Sequence, residues 1–245
     1  MESKLKTQLE SEGFCMVPHV FGQATVAELI ELIEEANRTD IESALKSKGT
    51  VFAARNLIDS IPNLLEAVHS PALRDLLNET LGTNYGLVRV LYFDKPSDRS
   101  WNLPLHKDLT IAVKDNSLPT SRFSKPTRKS GVDHVEASEE VLESMLTLRI
   151  HLDEVTDSNG PLEVIPGSHH TGKQNEATAS APVKILCDAG DVLAMRPMLS
   201  HGSGHTDPEG NLRRRILHLE FCGIEDLADG YQWMHYLKPM APKGS

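Results

Sequence analysis

The chain has 245 residues, 39% hydrophobic and 24% charged, which suits a globular fold with volume for a real core rather than a disordered chain. A net charge of -10 argues against nucleic acid or an anionic membrane surface as the main partner. No apolar run approaches the roughly 20 residues of a membrane-spanning helix.

The first residues, MESKLKTQLESEGF, have no apolar centre and do not read as a secretory signal. Cys15, Cys187 and Cys222 are isolated and odd in number, so no disulfide framework or C-x-x-C site follows, and a reducing, cytoplasmic setting is expected. With no repeat or long linker, residues 1–245 are expected to form a single domain.

Residues 2–12 read as a short helix closed by Gly13, and Phe14 to Val20 as a brief strand with Pro18 hinting at an edge. Thr25 is placed to cap a helix whose Val26, Leu29, Ile30 and Ile33 recur at helical spacing. Val51 to Ile58 is extended or mixed. Helices follow near 61–68 and 71–81, the second with Ser70 as cap, Pro71 in its first turn and Gly82 beyond its end.

After Gly82 the texture becomes β. Strands are expected at Tyr85–Asp94, His106–Val113, Glu143–Asp153, Leu162–Ile165 and Arg214–Cys222. Val183–Cys187 and Asp191–Met198 flank Ala189-Gly190, which reads as a hairpin turn. Helices gathered in residues 1–84 and strands over 85–222 give an α+β class with a mainly β core, closed or sandwiched. Residues 114–140 form a polar interruption rich in cations (Lys114, Arg122, Lys125, Arg128, Lys129). A stretch this long without regular structure reads as a lid whose charge would meet an anionic small molecule, or as a plain solvated loop.

His106-Lys107-Asp108 carries the clearest chemistry. On a strand, His106 and Asp108 project from one face and Lys107 from the other. A nitrogen and an oxygen donor on one point make two-thirds of a facial metal triad, and a distant His would complete it. His201, 95 residues on, is one candidate; His169, His170, His205 and His218 compete, and periodicity does not choose among them. Three arginines open the last strand. Alternation puts Arg214 with Ile216, His218 and Glu220 on one face, and Arg213 and Arg215 on the other. A guanidinium suits bidentate capture of a carboxylate, whereas an exposed basic edge only discourages strand addition.

WNLPLHKDLTIAV, LRIHLDEVTDSNGPLEVIPGSHHTG, GDVLAMRPMLSHGSG and RRRILHLEF, in this order, resemble the phytanoyl-CoA dioxygenase family of non-haem Fe(II) oxygenases that use 2-oxoglutarate. The resemblance runs from about Gly13 to Cys222. It implies a double-stranded β-helix (jelly-roll, cupin-like) core behind N-terminal helices. It also implies a dioxygenase that consumes O2 and 2-oxoglutarate, releases succinate and CO2, and hydroxylates a small molecule.

By position, His106, Asp108 and His201 match the iron ligands, and Ser203 and Arg214 match the groups that hold the end carboxylate of 2-oxoglutarate. Arg55 lies near a second basic contact to that carboxylate. Arg149 stands where some relatives carry Trp, and with Thr147 and His151 it shares a face that lines the pocket. Halogenating relatives lack the carboxylate ligand, so Asp108 favours hydroxylation. The competing readings are a cupin-like metal- or ligand-binding protein without redox turnover, and a zinc-type hydrolase using the same triad.

Overall fold

The computed structural model describes residues 3–39, 44–47, 50–61, 63–96, 102–174, 180–207 and 212–239. The chain ends, within the span expected as one domain, and Trp101 of the family-like stretch lie outside these residues. The N-terminal part holds α1 (Lys4–Glu12), β1 (Phe14–Val17), α2 (Gln23–Thr39), β2 (Ala44–Ser47), β3 (Thr50–Ala54), α3 (Leu57–Ser60), α4 (Leu64–Ala67) and α5 (Pro71–Leu81). Gly13 closes α1 in the left-handed region at φ 83°. α2 begins two residues before Thr25, which therefore lies inside its first turn instead of capping it. This region supplies three strands to the largest sheet: β1 and β3 fall where a strand and an extended or mixed segment were expected, and β2 is additional.

The rest comprises β4 (Gly86–Lys95), β5 (Leu103–His106), β6 (Thr110–Val113), β7 (Ser124–Lys129), β8 (Val132–Glu136), α6 (Glu139–Glu143), β9 (Met145–His151), β10 (Leu162–Val164), β11 (Val183–Ile185), β12 (Val192–Met195), β13 (His201–Ser203) and β14 (Arg214–Cys222). Seven strands run β1-β12-β9-β14-β4-β3-β2, four run β11-β10-β13-β5 and three run β6-β8-β7. Every pairing is antiparallel.

Alternation gives the seven-stranded sheet two different faces. On the outer face Val90, Leu219, Leu148, Ala194 and Cys15 are joined in register and pack, in one apolar cluster, with Leu29, Ile33, Leu73 and Leu77 of the helices. On the inner face Phe14, Leu193 and Met195 pack against Leu162, Val164 and Ile185 of the four-stranded sheet. The two sheets thus face each other, and the jelly-roll core implied by the resemblance is present, mostly β with buttressing helices.

Three expectations give way. Residues 106–113 are not one strand: β5 ends at His106, β6 begins at Thr110, and the two belong to different sheets. Ala189-Gly190 is not a hairpin turn, because β11 pairs with β10 while β12 pairs with β1 and β9, so the chain crosses between sheets there. Residues 114–140 are irregular only in part: 114–123 carry no helix or strand, but β7 and β8 then form a hairpin that joins β6. β7 is almost wholly exposed and polar, with Pro126, the composition of a guarded edge strand.

Candidate active site

The break between β5 and β6 brings the metal-type donors together. Asp108 sits in the turn, its N–H bonded to the Pro197 carbonyl at 2.9 Å. β13 pairs with β5 so that His201 lies directly opposite His106. His106 Nε2 is 3.8 Å from Asp108 Oδ1, His201 Nε2 is 3.5 Å from Asp108 Oδ2, and all three donors lie within 4.8 Å of one another. Sharing one face of one strand is therefore not what joins His106 to Asp108; a turn does it.

Lys107 does point away, as expected. Its Nζ donates to Ser168 O (2.8 Å), Thr171 Oγ1 (2.8 Å) and Gly172 O (2.7 Å), which pins the turn to the short 3-10 segment 168–171.

The neighbouring hydrogen bonds fix which ring nitrogen is free. His106 Nδ1 donates to Pro104 O and His201 Nδ1 to Leu199 O, each at 2.9 Å. With the proton on Nδ1, both Nε2 lone pairs are left toward Asp108, as a metal site needs. Burial holds the His201 imidazole down at about 4, so it is neutral at physiological pH. Burial would raise the Asp108 carboxyl, but His201, His218, His106 and Arg89 outweigh it and hold the group at about 2. Two imidazoles that present Nε2, with a carboxylate, fit a divalent iron of the facial-triad type.

The other histidines are occupied or distant. Arg149 Nη1 donates to His218 Nδ1 at 3.1 Å, and His218 Nε2 donates to Glu220 Oε1 at 3.1 Å, which commits both nitrogens. His169 Nε2 bonds the Glu10 carbonyl and its ring stacks on His170. His205 is exposed.

Polar groups line much of the inner face of the large sheet. In register across β4, β14 and β9 lie Lys95 with Arg214, then Phe93 with Ile216 and His151, then Leu91 with His218 and Arg149, then Arg89 with Glu220 and Thr147. Arg214 is 7% exposed, and its Nε finds no hydrogen-bond partner among the described residues. Arg213 and Arg215 instead hold Asp94 and Asp153. Burial, then Arg149, lowers Arg214 to about 10, and burial alone lowers Arg149 as far, so both remain cations at neutral pH.

Lys95, fully buried beside Arg214, escaped sequence reasoning. It closes an apolar-looking strand, and only the β4–β14 register shows its neighbour. Its Nζ donates to Gly204 O at 2.6 Å, which ties the residue after β13 to the strand neighbour of Arg214. Gly160, at φ 66°, leaves room there: a Cβ would stand 2.7 Å from Lys95 Nζ.

Arg55 is not brought to Arg214. Its pKa is lowered by burial and then by Arg89, with Glu220 opposing. Those neighbours sit six residues along β14 from Arg214, about 20 Å at ~3.3 Å per residue. The buried Arg89–Glu220 pair (2.8 and 2.5 Å) and the buried His134 were also missed, since no local pattern marks either.

A family model, "Phytanoyl-CoA dioxygenase (PhyH)", matches residues 9–214. An L-proline trans-4-hydroxylase from Streptomyces griseoviridis is 28% identical over 172 residues, covering 68% of this chain and 55% of the relative, so the match spans about half the relative's length.

Among solved structures, EctD from S. alaskensis with bound Fe superposes with a TM-score of 0.70 at 18% identity, covering 91% of this chain and 76% of that one. HygX from Streptomyces hygroscopicus, with nickel and 2-oxoglutarate bound, gives 0.60 at 14% identity over 91% of this chain and 87% of that one. At these identities the structures speak for the shared fold alone. With the family model matching residues 9–214 of 245 and the triad of donors in place, this chain belongs to the phytanoyl-CoA dioxygenase family.

Proposed function

We propose that this protein is a non-haem Fe(II)- and 2-oxoglutarate-dependent dioxygenase that hydroxylates a small molecule: R–H, 2-oxoglutarate and O2 give R–OH, succinate and CO2. The observation that carries the reading is the convergence of His106 Nε2, Asp108 and His201 Nε2, with both Nδ1 atoms tied to backbone. These three residues would hold the iron and leave further positions for cosubstrate and O2. Bound Fe(II) and 2-oxoglutarate would supply O2 activation and the oxidative decarboxylation.

The chain's own residues bind and orient. Arg214, with Lys95 and Ser203, takes the far carboxylate of 2-oxoglutarate. Arg149 and Thr147 line the inner face beside it, Arg149 held by His218. The hydrophobic residues of the two facing sheets exclude water from the opposite flank.

The relative L-proline trans-4-hydroxylase and the structure of EctD with 2-oxoglutarate and 5-hydroxyectoine support a small substrate, and the cations of the pocket support an anionic one. Asp108 favours hydroxylation over halogenation. A single domain and a cytoplasmic setting complete the proposal; Cys15, Cys187 and Cys222 are free thiols, and no helix among the described residues is long and apolar enough to cross a membrane.

The test is to mix protein, Fe(II), ascorbate and 2-oxoglutarate in air and measure succinate. Succinate is expected, and Asp108→Ala should weaken Fe(II) binding by more than roughly 100-fold and abolish it. Tight metal binding without succinate or 2-oxoglutarate binding would leave a cupin-like binder. Zinc-dependent hydrolysis would leave the hydrolase, against which a buried Arg214 with no carboxylate partner among the described residues already argues.

A further inference from the structure

We propose that Arg55 and Lys129 form a second carboxylate-binding subsite, for the primary substrate and not for 2-oxoglutarate, and therefore that the substrate is a small carboxylic acid. The inference rests on the dioxygenase reading above and deepens it.

The β7–β8 hairpin accounts for most of the basic stretch differently from its sequence. Arg122 pairs with Glu140 (2.9 Å), Lys125 with Glu136 (2.6 Å) and Arg128 with Asp133 (3.2 Å), and all three cations are exposed. Those three cations are neutralised by neighbours. Lys129 is half-buried instead and has no carboxylate partner among the described residues. Its Nζ reaches Thr110 Oγ1 at 3.4 Å, two residues beyond Asp108. The hairpin cation nearest the metal donors is thus the one left for an external anion.

Arg55 is in the same situation. It is half-buried and makes no hydrogen bond or ion pair within the described residues. A single contact sets the two cations together. Asn56 Nδ2 donates to Ser130 O at 3.2 Å, linking the residue after Arg55 to the residue after Lys129. Both partners hold left-handed backbone, Asn56 at φ 61° and Ser130 at φ 46°, conformations that non-glycine residues seldom adopt. The corner between β3 and α3 and the hairpin tip are therefore fitted to each other at some conformational cost. Electrostatic coupling between Lys129 and both Arg55 and Asp108 agrees with this placement.

Arg89 beside them is already satisfied by Glu220, so it adds shape without an open charge. The Arg214–Lys95 end of the row meets the needs of the far carboxylate of 2-oxoglutarate. A second cationic pair at the far end of β14 needs a second anion, in a protein whose net charge is -10.

The test uses the Fe(II)-loaded, 2-oxoglutarate-saturated protein without O2, with 13C-acetate as probe and acetamide as neutral control. Relaxation of the probe carbon by the iron reports binding beside it. Acetate is expected to bind and acetamide not to. Arg55→Gln and Lys129→Gln should each weaken acetate by about tenfold, while changing 2-oxoglutarate affinity less than about threefold. Arg55→Lys and Lys129→Arg, which keep the charge, should retain acetate binding and guard against misfolding.

The proposal is overturned if acetate does not bind the native protein, if it binds regardless of both variants, or if Arg55→Gln weakens 2-oxoglutarate as much as acetate. The last result would return Arg55 to the cosubstrate. Succinate formation with no acetate binding would sink this inference alone; absence of succinate formation and of 2-oxoglutarate binding would sink the dioxygenase reading beneath it.

Discussion

On the outer face of the seven-stranded sheet, Val90, Leu219, Leu148, Ala194 and Cys15 form one row; one residue further along, Leu91, His218, Arg149, Leu193 and Met16 form the next row, on the inner face. Nearly all of these side chains are buried. The outer row is apolar from end to end and meets helices. The inner row carries an imidazole and a guanidinium between Leu91 and the apolar residues of β12 and β1. Burial therefore does two separate jobs in one sheet. Outside, it removes apolar area from water and stabilises the fold. Inside, it strips charges of solvent at a cost in stability, and leaves them able to grip ligands strongly.

The largest expected effect comes from breaking the inner side's own compensation. Glu220→Ala would leave the Arg89 guanidinium buried without its bidentate partner, costing about 3–5 kcal/mol in denaturant unfolding. Replacing both partners, Arg89→Met with Glu220→Leu, should recover most of that loss, because the pair's attraction is offset by its desolvation. If the double variant stays as unstable as the single one, the inner face is structural in the same sense as the outer. Next, Leu148→Ala on the outer face, at 1% exposure, should cost about 2–5 kcal/mol through lost burial and a residual cavity. It should leave Fe(II) affinity unchanged; a parallel loss of metal binding would show that the two faces are coupled.

The two faces were unequally legible in the sequence. Alternation in RRILHLEF put Arg214, His218 and Glu220 together, and the register bears out that phase. The outer cluster follows from ordinary β periodicity and from the Val26, Leu29, Ile33 stripe of α2. His106 and Asp108 stood out as donor types at close spacing, although the turn that unites them was hidden inside an apolar run. Lys95, Arg89 and His134 were invisible because their meaning depends on which strand lies beside them. The β7–β8 hairpin was missed because an exposed edge strand such as SKPTRK has no apolar alternation to betray it. The crossing at Ala189-Gly190 was misread because a turn's chemistry does not say which sheet its second strand joins.

A smaller effect separates three adjacent arginines on that legible phase. Arg214→Ala should weaken 2-oxoglutarate by about 10- to 150-fold, the worth of a charge-assisted bond, with metal binding intact. Arg213→Ala and Arg215→Ala, whose guanidiniums hold Asp94 and Asp153, should change it less than about threefold. Equal effects from all three would mean that the inner-face position confers nothing.

The smallest expected effect is a pH dependence in which affinity and stability move in opposite directions. Burial, and then the Arg214 charge, lowers the Lys95 ammonium to about 8. Below that pH the group is charged and can help Arg214 hold a carboxylate; above it the charge is lost. Affinity of the Fe(II)-loaded protein for 2-oxoglutarate should therefore fall by about fivefold as pH rises through 8, and Lys95→Met should flatten the profile. Stability runs the other way. The native pKa lies below the unfolded value near 10.5, so between about 8 and 10.5 the unfolded chain binds more protons and stability rises with pH. Denaturant midpoints and 2-oxoglutarate titrations over the same window read the two trends side by side. An inner-face cation kept for binding must show both, whereas one kept for packing would raise stability with pH and leave affinity flat.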